Sequence, residues 1–126
     1  MVDITPRPGA DRQVVQAYGG GGFRISGERY EGAVLVLPTR TLSWSVSGFE
    51  ALAIEDFRPL QFERPAVELL ILGTGVSLVR LPQALTAALR GWGIASEAMD
   101  TGAACRTYNV LLLEDRRVAA ALLPVA

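Results

Sequence analysis

The stretch from Glu97 to Leu123, EAMDTGAACRTYNVLLLEDRRVAAALL, constrains the fold more than any other part of the chain. A short strand ends at Met99. Asp100-Thr101-Gly102 supplies a cap and turn, a dense helical run continues to about Glu114, and Val118 to Leu123 reads as a second apolar strand. The pattern extends upstream. Val67 to Leu72 is a strand rich in β-branched and leucine side chains, and Gly73-Thr74-Gly75 ends it. Val76 to Leu81 is extended, and Pro82 opens a helix at the position proline tolerates best. Leu85, Ala88, Leu89 and Trp92 fall on one apolar stripe of that helix, which Gly91 and Gly93 stop before the strand Ile94 to Met99. Strand, helix, strand, helix, strand implies a mostly parallel core with right-handed crossovers.

The N-terminal half reads differently. Residues 1–12, with Pro6, Pro8 and Gly9, form a loose terminus. Val14 to Tyr18 is a short strand. The run Gly19 to Gly22 has no helix after it, so it predicts a turn and not a phosphate loop. Phe23 to Ile25, Ser26-Gly27-Glu28 and the residues from Arg29 onward predict a hairpin. Its second strand is expected over about Tyr30 to Leu37, where the apolar run from Ala33 suits cover on both faces. Pro38-Thr39-Arg40 turns the chain into a half-buried strand with Leu42, Trp44 and Val46 on one face, Trp44 as a packing residue. From Ser47 to Phe62 the pattern is less regular, with a helical turn around Ile54 to Phe57 and Leu60 bent by Pro59. Glu55, Asp56 and Glu63 read as solvated. These readings predict one α/β domain over residues 1–126, with a mostly parallel βαβαβ core and the N-terminal hairpin strands as antiparallel edges.

Composition narrows the chemistry. The chain has 126 residues, half of them hydrophobic, and a net charge of −1 from twelve basic and thirteen acidic residues. With no basic stripe, nucleic-acid binding lacks its electrostatic footprint. There is no histidine and no lysine, so every basic residue is an arginine. Arginine stays protonated and orients anions, but it is a poor general base. Ser-His-Asp and Cys-His nucleophile systems, Schiff bases and a P-loop lysine are therefore absent. One cysteine and no histidine make no zinc site and no internal disulfide. No apolar run approaches the roughly 20 residues that span a bilayer. No secretory signal or transit peptide is legible. The expected location is the cytoplasm of a bacterium, with no cofactor, no metal and no catalytic residue assigned.

The sequence does mark one place for a ligand. If the strands ending at Leu72 and Met99 are parallel, Gly73-Thr74-Gly75 and Asp100-Thr101-Gly102 meet at one rim of the sheet. Ligands of open α/β sheets bind outside the carboxyl ends of strands. The third helix points its N-terminus there, and its free N–H groups favour an anion. Arg106 offers a fixed charge, and Thr74 and Thr101 offer hydroxyls. Against this, Asp100 as a cap would satisfy the same N–H groups and repel an anion. Cys105 reads as a small buried hydrophobe, a thiolate lowered by the helix N-terminus and Arg106, or a redox-sensitive thiol. Asn109, the one asparagine of the chain, needs a polar partner on a largely buried helix. Leu111, Leu112 and Leu113 point three ways, so that helix is buried on more than one side.

The pattern Gly73, Gly75, Asp100, Thr101, Ala104, Cys105, Arg106, Thr107, Asn109 and Glu114 resembles the Mth-domain family. That family includes a mitochondrial complex I assembly factor and an adipogenesis-associated Mth-domain protein, and most of its bacterial members have no assigned function. The resemblance runs from about Tyr30 to Leu123. It implies a three-layer α/β fold with a central mixed sheet, and a non-enzymatic accessory protein that acts through protein contacts in assembly or biogenesis of a membrane-associated complex. The rim supplies the alternative, a small-anion or nucleotide-like ligand, and an enzyme using Cys105 or Asp100 is a third reading.

Overall fold

The structure, a computed structural model, describes residues 1–4, 12–46 and 48–126. Most of the loose terminus expected over residues 1–12 lies outside the described residues, as does Ser47. Among the described residues the strands form two sheets. The larger is mixed, in the order β6-β5-β9-β7-β8, and the smaller is antiparallel, in the order β1-β2-β3-β4.

The larger sheet carries the parallel core that the sequence predicts. β7 (Leu69–Gly73) pairs in parallel with β8 (Ala95–Met99) on one side and with β9 (Val118–Leu122) on the other. α1 (Gln83–Gly91) links β7 to β8, and α2 (Thr101–Leu113) links β8 to β9. β5 (Val34–Val36) and β6 (Thr41–Ser43) extend the sheet antiparallel beyond β9. Alternation along the strands sorts the core into two halves. Val34, Val36, Ile71, Val118, Ala120 and Leu122 pack toward α2. Leu35, Leu70, Leu72, Ala119 and Ala121 pack toward α1, whose Leu85 and Leu89 are buried. Every residue of β9 is buried, and three of its five are alanines. Small side chains there let both helices lie close to the sheet.

The N-terminal strands depart from expectation. β2 (Val15–Gly19), β3 (Gly22–Ile25) and β4 (Glu28–Glu31), with β1 (Val2–Asp3), do not edge the central sheet but form one of their own. Gly20 and Gly21 close the first hairpin as a two-residue turn with φ of +62° and +81°. That is the left-handed pair whose twist suits a hairpin. The strand expected over Tyr30 to Leu37 is broken at Gly32, φ +78°, which hands the chain from the small sheet to the large one. The parts on either side of Gly32, β4 and β5, are both strand, so the switch between sheets does not show as a change of element.

The smaller sheet packs on a flank of α2 beside the one that meets β7 and β9. Val14, Val15, Phe23 and Ile25 share one cluster with Ala104, Cys105, Tyr108 and Leu112. α2 thus packs against both sheets, but its leucine run is not buried all round as expected: Leu112 is buried, Leu111 is half-buried and Leu113 is exposed. On the opposite side of the molecule, residues Ile54–Phe62 form a 3₁₀ helix around Pro59 and bury Phe57 and Leu60. Trp44 packs there with ring centroids 5.3 Å from Phe57, and its indole N–H donates to the Asp56 carbonyl at 2.8 Å. Glu63 is not solvated as expected. It is buried and accepts from Arg40 Nε at 3.1 Å.

Candidate functional site

The two glycine turns meet. β7 and β8 end in register, Gly73 beside Met99. Thr74 N–H donates to the Met99 carbonyl at 2.9 Å, and Thr101 N–H donates to the Gly75 carbonyl at 2.8 Å, so the ladder continues into the turns. Gly73 lets Thr101 come close. A Cβ at Gly73 would stand 2.9 Å from Thr101 Oγ1 and 3.0 Å from Thr101 Cα. Gly102 plays the same part toward the small sheet, where a Cβ would stand 2.7 Å from the Tyr18 hydroxyl.

The polar groups at this rim are engaged with one another. Thr101 is fully buried. Its Oγ1 accepts from Gly75 N–H at 2.9 Å and donates to the Leu123 carbonyl at 2.6 Å, tying the ends of β7, β8 and β9 together. Thr74 Oγ1 donates to the Ser77 carbonyl at 2.7 Å, lies 3.1 Å from the Met99 carbonyl, and accepts from Val79 N–H at 3.1 Å. Asp100 caps α2 by accepting from Ala103 N–H at 2.9 Å. Arg106 is exposed and reaches toward the small sheet, its Nη1 3.4 Å from the Tyr18 hydroxyl. At this rim the Thr74 and Thr101 hydroxyls and Ala103 N–H already have partners within the chain, while the Arg106 guanidinium is exposed.

Cys105 is fully buried, and desolvation pushes its thiol up to about 12, with the Arg106 charge opposing the shift. A thiol held protonated at neutral pH is a weak nucleophile. Of its three readings, these surroundings support the small buried hydrophobe. Among the described residues no cluster of three or more His, Cys, Asp and Glu side chains is placed to hold a metal ion.

Sequence reasoning marked Asn109 as needing a polar partner but did not place it in a seam that joins α2 to the small sheet. Asn109 is buried and pairs with a strand backbone: its Oδ1 accepts from Val15 N–H at 3.0 Å, and its Nδ2 donates to the Val15 carbonyl at 2.8 Å. The amide stands in for a neighbouring strand beside the irregularity between Val15 and Ala17. From the preceding residue of α2, the Tyr108 hydroxyl donates to the Gln13 carbonyl at 2.7 Å, and burial raises its pKa well above the ordinary value. Arg12 closes the seam, donating to the Leu112 carbonyl at 2.7 Å and pairing with Asp115. The lone asparagine was the signal; its partner lies 94 residues away.

A family of proteins of unknown function, DUF498/DUF598, matches residues 15–123, from β2 to just past β9. The chain belongs to this family. Among its relatives, the DUF498/DUF598 chain is 34% identical over 118 residues to the NADH dehydrogenase (ubiquinone) 1 alpha subcomplex assembly factor 3 of Xenopus tropicalis. That match covers 94% of this chain and 64% of the relative, so the chain spans under two thirds of the assembly factor's length. The crystal structure of an outer membrane protein from Bartonella henselae is 41% identical, with a TM-score of 0.83 over 91% of this chain and 97% of that one. The solution structure of a Mth938-like domain from Bordetella pertussis is 30% identical, with a TM-score of 0.79 over 98% of this chain and 92% of that one. The resemblance read from the rim and α2 residues is therefore a family relationship, and the fold is Mth938-like. Among the described residues no helix is long and apolar enough to cross a membrane.

Proposed function

We propose that this protein is a non-enzymatic accessory factor that works through protein contacts in the assembly of a membrane-associated NADH dehydrogenase complex. The observation that carries the reading is its identity, over nearly its whole length, with a protein described as an assembly factor of that enzyme. Two features of the chain support it. Its basic residues are all arginines and its one thiol is buried, which leaves general-base and nucleophilic chemistry poorly equipped. The rim where α/β sheets hold small ligands is laced by its own hydrogen bonds. The proposal includes a cytoplasmic location, which suits a chain with a single reduced cysteine.

The test is deletion of the gene in the organism of origin. Membranes should lose assembled NADH dehydrogenase on native gels and lose NADH-dependent quinone reduction, and the full chain supplied in trans should restore both. Normal levels of the assembled enzyme in the deletion strain would overturn the reading. Recovery of the protein in the outer-membrane fraction would overturn the location alone.

A further inference from the structure

One side of the central sheet is left open. β8 is its terminal strand. Ala95 N–H donates to the Glu68 carbonyl and the Met99 carbonyl accepts from Thr74 N–H, so the odd-numbered residues of β8 aim their backbone groups at β7 and its flanks. Strand alternation then aims the N–H and C=O groups of Ser96 and Ala98 outward. Among the described residues no strand covers that edge. Ser96 Oγ is enclosed beside it and has no hydrogen-bond partner.

The edge opens on a groove of about 400 Å³, lined by Leu78, Arg80, Leu81, Thr86 and β8 itself. One wall is the loop after β7. The Thr74 hydroxyl pins that loop through Ser77 and Val79. Val76 and Leu78 nevertheless stand 85% and 58% exposed. Apolar side chains held in solvent by a hydrogen-bonded loop, next to unpaired backbone, mark a docking surface. β4, an edge of the small sheet, is built the other way. Glu28, Arg29 and Glu31 crowd it with charge, and an Arg29–Glu31 ion pair lies along it at 2.9 Å. Such charges blunt an edge; β8 carries only Glu97.

We propose that β8 receives an extended segment of a partner protein as an added strand. The segment bonds to the backbone of Ser96 and Ala98, sets a Lys or Arg opposite Glu97, and lays apolar side chains on Leu78 and Leu81. A second copy of this chain fits poorly. Antiparallel self-pairing through both Ser96 and Ala98 would place Glu97 directly opposite its own copy, and like charges so placed repel. This inference rests on the protein-contact reading above and names the surface that reading needs.

The experiment uses the full chain in its own organism, with a benzoyl-phenylalanine photocrosslinker placed in turn at Leu78, at Arg29 on β4 and at Val110 on the exposed face of α2. The Leu78 adduct should map by mass spectrometry to an extended segment carrying Lys or Arg. Glu97→Arg should reduce that adduct at least tenfold, and reversing the mapped basic residue to Glu should restore it. Ala98→Pro removes an outward N–H without breaking the ladder to β7 and should also abolish the adduct, with an unchanged thermal melt by circular dichroism. Adducts confined to Arg29 or Val110, a Leu78 adduct with a second copy, or one indifferent to both substitutions would overturn the edge while leaving protein contact in place. Adducts at none of the three positions would overturn both.

Discussion

The rim at residues 73–75 and 100–102 and the outer edge of β8 lie on the same sheet and treat their backbone in opposite ways. At the rim, buried N–H and C=O groups are bonded by side chains that the sequence places there. Thr101 links two strand ends, Thr74 holds a loop, and Asp100 caps a helix. At the edge, Ser96 and Ala98 turn their backbone groups toward a groove with no strand beyond it among the described residues. An unpaired buried polar group costs about 1–3 kcal/mol. The rim avoids that cost by closing on itself. Apart from the enclosed Ser96 hydroxyl, the edge leaves its outward backbone groups beside a groove, free to bond to something else. Threonine hydroxyls at the strand ends therefore bond within the chain here, while the outward backbone groups of the sheet lie at β8.

The closed part of the molecule should be the fragile one. Asn109→Ala leaves the Val15 N–H and C=O buried without partners and opens a cavity between α2 and the small sheet. Together these cost about 3–5 kcal/mol. Urea unfolding should show the midpoint falling sharply. A loss under 1 kcal/mol would mean that the small sheet adds little to the stability of α2. Thr101→Val keeps the shape but orphans Gly75 N–H and the Leu123 carbonyl. The expected loss is about 2–4 kcal/mol, measured in the same way, with crosslinking from Leu78 retained in the molecules that stay folded. If Thr101→Val instead abolished that crosslink in a folded protein, the rim and the edge would have to act as one site.

Alkali probes the same closed core. Burial raises the pKa of Cys105 from 9.0 to about 12, and it raises Tyr108 above 10.0. Both groups therefore ionise more readily in the unfolded chain. Their contribution is fully present below the ordinary values and is lost as pH climbs through them toward the folded ones. Stability should fall from about pH 9 and more steeply past pH 10, with each group adding up to about 1.4 kcal/mol per pH unit. Cys105→Ala should remove the first part of the fall while leaving the later, tyrosine part. A flat profile from pH 8 to 10.5 would show that neither group is as enclosed as the packing indicates.

The parallel core was legible because its signals are local. Asp100 caps within one turn, Pro82 and Gly93 bracket a helix, and the meeting of the two glycine turns follows once β7 and β8 are parallel. What could not be read depends on distance along the chain. Asn109 meets Val15 across 94 residues and Tyr108 meets Gln13 across 95, and no spacing rule connects them. Gly32 divides one expected strand between two sheets, and hydrophobic period cannot say which sheet a strand joins. At the candidate site the residues were legible but their occupation was not. A threonine that donates to a ligand and one that donates to a carbonyl on the next strand look alike in sequence. The open edge was hidden for a related reason: the order of strands in a sheet, which leaves β8 at one end, is a tertiary property.

The smallest stability effect belongs to the edge, and it discriminates most. Glu97 is exposed on a terminal strand, and no ion pair forms there among the described residues. Glu97→Arg should thus change unfolding free energy by less than about 0.5 kcal/mol, as surface substitutions away from special features do. In the deletion strain the same variant should nonetheless fail to restore assembled NADH dehydrogenase, while Glu31→Arg on the charged β4 edge restores it. A protein that folds normally and assembles nothing would separate contact from stability at one residue. If Glu97→Arg restores assembly fully, Glu97 is a solvated charge, and whatever this protein touches is held elsewhere than on β8.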